Sequence, residues 1–181
     1  MTTHARTAVL FAGVVARPGE TELARTAGDA LGGAGYRIRH GGYNGLMEAT
    51  AQGAARHGVP ITAVTLADRD WGPFNPYVTD VVHAETMGER LHAYLDDADL
   101  VYVMGGGVGT LHEATAALYY ATTIRSVPIR LLGPAACRLG GFLREQEWLV
   151  EGPTRPLAFL ADLPDAAALV KDLADQSSGR P

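Results

Sequence analysis

At 181 residues and 47% hydrophobic composition, the chain is long enough for one domain with a full core. Its net charge of −5 excludes the basic face that nonspecific nucleic-acid binding needs, while a small anionic ligand remains open because a few arginines and backbone amides hold one. No apolar run approaches the roughly 20 residues that cross a bilayer, no signal-peptide h-region follows Met1, and one cysteine, Cys137, permits no internal disulfide; a cytoplasmic location with no membrane and no nucleic-acid partner is expected.

Residues 7–15 read as a first strand, which turns at Arg17-Pro-Gly-Glu20. Leu23, Ala24, Ala27, Ala30 and Leu31 recur at helical spacing, and Gly32 and Gly33 end that helix. Residues 36–40 alternate as a second strand. Residues 46–57 form a helix with Gly58 as its C-terminal cap, and 60–66 a third strand. Residues 67–80 break the rhythm with Trp71, Gly72, Pro73, Asn75 and Pro76. Trp71, Phe74 and Tyr77 favour a folded, functional loop there. The spacing of Met87, Leu91 and Leu95 predicts one helix over 81–97. Residues 100–104 and 127–132 are a fourth and fifth strand. Residues 133–150 are helical in their later part, 156–160 a last short strand, and 163–174 a final amphipathic helix. Strands alternating with helices predict an α/β fold. This is a doubly wound, Rossmann-like, mostly parallel sheet in a single domain over 1–175, with 176–181 a frayed tail.

Ligands in such sheets bind beyond the carboxyl ends of the strands, near the switch point. Two glycine turns follow strands and open helices, so both reach that edge: Gly41-Gly-Tyr-Asn-Gly45 and Gly105-Gly-Gly-Val-Gly-Thr110. Glycines let the backbone approach an oxyanion, and the unpaired amides of a first helical turn attract it. Thr110 is expected at the helix start, with Glu113 three residues on at capping-box spacing. The second stretch is thus a phosphate loop with a carboxylate beside it. The bland alternative is a glycine turn without a ligand, in which Glu113 only caps and Arg90 is a surface arginine.

On these residues the chain resembles the Lonely Guy proteins, long described as lysine decarboxylase-like. Their signature is Pro-Gly-Gly-x-Gly-Thr-x-x-Glu, and Gly105-Gly-Gly-Val-Gly-Thr-Leu-His-Glu113 departs from it only at Gly105. The family's Gly-Gly-x-x-Gly-Leu-Met turn is matched by Gly41-Gly-Tyr-Asn-Gly-Leu-Met47, and its Met-x-x-Arg helix start by Met87-Gly-Glu-Arg90. Together the motifs cover residues 9 to 133. The resemblance implies a phosphoribohydrolase that releases a free base and ribose 5-phosphate from a nucleoside 5′-monophosphate, without a cofactor. It implies catalytic roles for Glu113, beside C1′, and for Arg90, which would hold Glu113 in its ionised form and bind the ribose or phosphate. Gly106, Gly107, Val108, Gly109 and Thr110 would hold the phosphate, and Gly41, Gly42, Asn44, Gly45 and Met87 the rest of the substrate. It also implies a homodimer or higher homo-oligomer, through the helix after Glu113 with Leu118, Tyr119 and Tyr120. Some relatives carry molybdenum cofactor or sense nucleotides, so a non-catalytic binding protein stays open beside the enzyme.

Other residues have plainer expectations. Met47 and Met87 also suit the core, His83 and His112 the surface, and Cys137 a small core position. Glu48 either reaches the site or sits in a first helical turn. The histidines and Cys137 show no metal-ligand spacing, so no metal is expected. Glycine in place of proline at 105 is expected to loosen the loop. A dinucleotide oxidoreductase is disfavoured, because the first turn lacks Gly-x-Gly-x-x-Gly. Lysine decarboxylation lacks a cofactor-binding lysine, since the only lysine is Lys171 in the final helix.

Overall fold

The computed structural model describes residues 5–152 and 157–178. Seven strands form one sheet: β1 (Thr7–Phe11), β2 (Arg37–His40), β3 (Ile61–Leu66), β4 (Asp80–Ala84), β5 (Leu100–Val103), β6 (Ile129–Leu132) and β7 (Leu160–Leu163). Their order across the sheet is β4-β3-β2-β1-β5-β6-β7, and every pairing is parallel. Among the described residues six helices connect or follow them: α1 (Glu20–Gly33), α2 (Leu46–Ala55), α3 (Met87–Leu95), α4 (Val108–Thr123), α5 (Pro134–Glu145) and α6 (Ala166–Ser178). The predicted doubly wound α/β fold is therefore the observed one. No described helix is long and apolar enough to cross a membrane.

Parallel strands covered on both faces read as continuous apolar runs, and β1 and β5 are buried at every residue. Alternate residues face opposite ways. Leu10, Leu100 and Tyr102 pack against α1, α2 and α6, while Val9, Phe11, Val101 and Val103 pack against α3, α4 and α5. The chain winds from β1 outward to β4, then returns to pair β5 with β1. The helices that follow β1 and β5, α1 and α4, consequently lie on opposite faces of the sheet. That is the switch point, where a doubly wound sheet opens a crevice.

Several boundaries differ from the sequence reading. The first strand ends at Phe11, and residues 12–15 belong to the loop that enters the crevice. Gly32 and Gly33 lie inside or at the end of α1, and the turn that follows uses Gly35 at φ 75°. The helix predicted over 81–97 is two elements. Its first part is β4, an edge strand whose Val81, Val82 and His83 are exposed, and the helix starts only at Met87, capped by Thr86. Half-exposed valines at an edge carry little period, so they merged with the helix pattern behind them. The last strand lies at Leu160–Leu163 rather than over 156–160, and Pro156 is outside the described residues. Helix α6 continues past Gln176 to Ser178, where a frayed tail was expected; 179–181 are outside the described residues.

The connection from β3 to β4 has no helix. Asn75, only 7% exposed, anchors it: its side-chain amide donates to the carbonyls of Gly42 (2.9 Å) and Tyr43 (3.1 Å), and its backbone N–H donates to Gly42 O (2.8 Å). This ties the aromatic loop to the first glycine turn.

Candidate active site

Three loops meet at Gly13, after β1. Its N–H donates to Gly105 O (2.9 Å), and its carbonyl accepts from Leu46 N–H (3.1 Å) at the start of α2. A methyl group on Gly13 would lie 2.6 Å from Gly106 Cα, so only glycine permits this approach. Gly45, at φ 73°, is likewise pressed against the Val14 backbone. The glycines of both turns thus position loops as much as they line a site.

Between these loops lies a cleft of about 500 Å³, bounded by residues from Leu10 to Val14, from Gly41 to Met47, and by Trp71, Met87, Arg90, Gly107, Gly109, Thr110 and Glu113. Of the residues expected to bind substrate, Gly41, Asn44, Met87, Gly107, Gly109 and Thr110 line it, together with Arg90 and Glu113. Gly42, Gly45 and Gly106 stand behind that lining and hold the loops. Val108 points outward, 84% exposed, so only its amide faces the loop. Met47 is buried core as well as cleft wall. Met87, 41% exposed, belongs to the cleft and not to the core. Glu48 sits in the first turn of α2 and does not line the cleft.

Helix α4 begins two residues earlier than Thr110. Gly107 is the N-cap, without a side-chain capping bond, and the first helical hydrogen bond runs from Leu111 N–H to Gly107 O (3.0 Å). The amides of Val108, Gly109 and Thr110 therefore have no intrahelical partner and present an anion-binding end. Thr110 and Glu113, three apart, share the buried face of α4. Glu113 is not a capping residue, as the spacing had suggested; Arg90 holds it.

Arg90, 7% exposed, uses each nitrogen of its fork. Nε donates to Val64 O (3.1 Å), Nη1 to Glu113 Oε1 (2.9 Å) and Nη2 to the Tyr94 hydroxyl (2.8 Å), which in turn donates to Val64 O (3.0 Å). Tyr94 stands edge-on to Phe11 at 5.1 Å, and burial pushes its hydroxyl pKa upward. The arginine is thus fixed by β3 and its own helix before it meets Glu113. Burial raises the Glu113 carboxyl above the usual carboxylate range, and Arg90 opposes the rise without cancelling it. Arg90 engages Oε1 alone, and no other described group donates to the carboxylate.

His40, fully buried at the end of β2, has its pKa pushed down to about 4 by desolvation. Its Nδ1 accepts from Gly42 N–H (2.8 Å), so it stays neutral and shapes the turn. His83 and His112 are exposed, as expected. Cys137 is half-buried and donates to Leu131 O (3.2 Å). The motifs did not point to Tyr94, which braces Arg90 behind the cleft, nor to Gly13 and Trp71, which line it. A spaced Arg90-x-x-x-Tyr94 pair on one helix face was the available signal for the first.

The departure at Gly105 has a structural counterpart. A methyl group there would lie 2.5 Å from Glu20 Oε1. Glu20, 5% exposed at the start of α1, accepts from Arg17 N–H (2.8 Å) and fills the space a side chain at 105 would need. The Gly13 bond ties this loop to the end of β1, and Glu20 occupies the space beside Gly105.

The sequence profile of the family described as "Possible lysine decarboxylase" matches residues 47–151. The chain belongs to this family. The match takes in Arg90, the glycine loop and Glu113. Among curated protein sequences none matches the chain. Solved structures share its fold. The molybdenum cofactor binding protein of Rippkaea orientalis is 18% identical, with a TM-score of 0.73 over 97% of this chain and 100% of that one. The molybdenum cofactor carrier protein of Chlamydomonas reinhardtii is 15% identical, with a TM-score of 0.73 over 97% and 99%. The X-ray structure of TM1055 is 20% identical, with a TM-score of 0.70 over 94% and 99%.

Proposed function

We propose that the protein is a phosphoribohydrolase acting on a nucleoside 5′-monophosphate. The observation that carries this reading is the buried Arg90–Glu113 pair, which opens its carboxylate onto a cleft ended by the free amides of α4. The 5′-phosphate sits at Gly107, Gly109 and Thr110, which fixes C1′ relative to Glu113. The C1′–N bond breaks with its electron pair leaving on the base. Water oxygen bonds to C1′, and its two protons end on the base and on the new sugar hydroxyl. Positive charge develops on the sugar as the bond breaks, and the ionised Glu113 stabilises it. Arg90 keeps that carboxylate ionised and oriented.

The test is release of free base from a panel of nucleoside 5′-monophosphates and the matching nucleosides, followed by chromatography. Release from a monophosphate, absent with its nucleoside and lost in Glu113→Gln, supports the enzyme. A second reading is a binding protein without turnover, the role for which the molybdenum cofactor binding and carrier proteins of the same fold are named. The Glu20 carboxylate against Gly105 does not separate the two readings, because a negative charge behind the loop opposes a bound phosphate in both. A monophosphate that raises Tm but yields no base supports this second reading.

The proposed partner is a second copy of the chain, on the outer face of α4. Tyr119 is 66% exposed there beside a groove of about 360 Å³ that also includes Leu118, Leu143 and Trp148, while Tyr120 is half-buried under Arg125. Sedimentation of the pure chain and of Tyr119→Asp tests it.

A further inference from the structure

The cleft has two chemically different walls. One supplies amides, a hydroxyl and charge, from Gly107, Gly109, Thr110, Arg90 and Glu113. The other supplies apolar surface, from Trp71, Tyr43, Met47, Met87 and Leu10. Trp71 stands out within the second wall because it is a large aromatic left 48% exposed. Its neighbours fix its position. The Tyr43 ring meets it edge-on at 5.9 Å, and Tyr43 is itself held by Thr65 through its hydroxyl (2.6 Å) and by Phe74 at 5.5 Å. Asn75 ties the same loop down four residues later.

One face of the indole is turned toward Arg90, whose guanidinium carbon lies 5.5 Å from the ring centre. That arginine holds Glu113. The base of a nucleotide is bonded directly to C1′, so a sugar placed with C1′ at Glu113 begins its base one bond away. Of the two aromatic residues lining the cleft, Tyr43 and Trp71, Trp71 is the exposed one, and it lies against Arg90. An indole held in the cleft wall beside a charged pair and left 48% exposed is a stacking platform for a flat heteroaromatic ring.

We propose that Trp71 is a specificity-determining residue that stacks on the base of the substrate; this rests on the phosphoribohydrolase reading. Trp71 acts on the base alone, so its contribution is absent for the same ligand without a base. Calorimetry compares adenosine 5′-monophosphate with ribose 5-phosphate, in a Glu113→Gln background that halts turnover. Trp71→Ala is expected to weaken the nucleotide about tenfold and to leave ribose 5-phosphate unchanged, with Trp71→Phe recovering most of the loss. Equal weakening of both ligands, or no weakening, overturns the proposal. If the Glu113 chain releases base while nucleotide affinity ignores Trp71, the stacking role falls and the hydrolase reading stands. If Trp71 controls nucleotide affinity but no base is released, stacking stands and the hydrolase reading falls. Failure of the chain to bind any nucleoside monophosphate overturns both.

Discussion

Among the described residues, two arginine–carboxylate pairs with little-exposed side chains do different work. Arg130 and Asp172 join β6 to α6 with side chains 11% and 15% exposed. Arg90 and Glu113 join α3 to α4 with side chains 9% and 12% exposed. Burial does not distinguish them, nor does distance, at 2.8 and 2.9 Å. Satisfaction does. Both oxygens of Asp172 accept from Arg130 Nε, at 2.9 and 2.8 Å, and Gln176 adds a further donor. Glu113 has one oxygen engaged and faces the cleft, with its carboxyl pushed up by burial. A buried pair whose bonds are complete is a strut. One left incomplete over a cavity keeps charge available for a ligand, at a desolvation cost the fold must offset.

Removing each carboxylate separates the two roles most sharply. Glu113→Gln is expected to lower base release per folded molecule by about a hundredfold to ten-thousandfold, beside a stability loss of its own because Arg90 is left buried without its partner. Asp172→Asn is expected to lower stability by about 3 kcal/mol, because it leaves a buried arginine uncompensated, with the rate per folded molecule unchanged. Matched denaturant melts and turnover assays check both. Loss of turnover in the Asp172 variant at low temperature, where it is folded, would end the contrast.

Arg90 sharpens the same comparison through pH. Its charge opposes the burial that raises the Glu113 carboxyl. Without it, in Arg90→Met, that carboxyl rises further. The ionised carboxylate is the working form, so the acid limb of kcat/KM is expected at higher pH in the variant than in the wild type. Stability carries the matching sign. A folded pKa above the unfolded one means the folded chain holds the proton more tightly. That contribution is fully present below the unfolded pKa and is lost as pH rises through the folded value. The loss is expected to be larger in Arg90→Met, read as Tm against pH. An acid limb that coincides in both proteins would show that Arg90 does not act on Glu113.

Much of this was legible in the sequence. Buried parallel strands such as 100–104 announce themselves as unbroken apolar runs, and the two glycine turns marked the carboxyl edge of the sheet. Arg90 and Glu113 were legible through the motif, as was Arg90 holding Glu113, but the packing of α3 on α4 that joins residues 23 apart, and the Val64 and Tyr94 contacts that fix Arg90, were not. Strand β4 was hidden by exposure, since an edge strand with solvated valines has no apolar face to repeat. The role of Glu20 was invisible for a different reason. It lies 85 positions from Gly105, and only the fold shows that a missing side chain in one loop is filled by a carboxylate from another.

That last pair gives the smallest expected effect and the most specific one. Restoring the family's proline at 105 drives its ring atoms toward Glu20 Oε1, where even a methyl carbon falls at 2.5 Å. Gly105→Pro alone is expected to cost about 1–3 kcal/mol, the usual penalty of overpacking. Glu20→Ala removes the obstruction but also the acceptor for Arg17 N–H, so it costs stability on its own. The double variant is expected to cost less than the sum of the two singles, since once the carboxylate is gone the proline has room. Additive losses would mean that the loop, not the carboxylate, rejects the ring. Because Glu20 also sets a negative charge against the loop, the double variant should bind inorganic phosphate more tightly than either the wild type or Gly105→Pro. A strut such as Arg130–Asp172 has no comparable lever on ligand affinity.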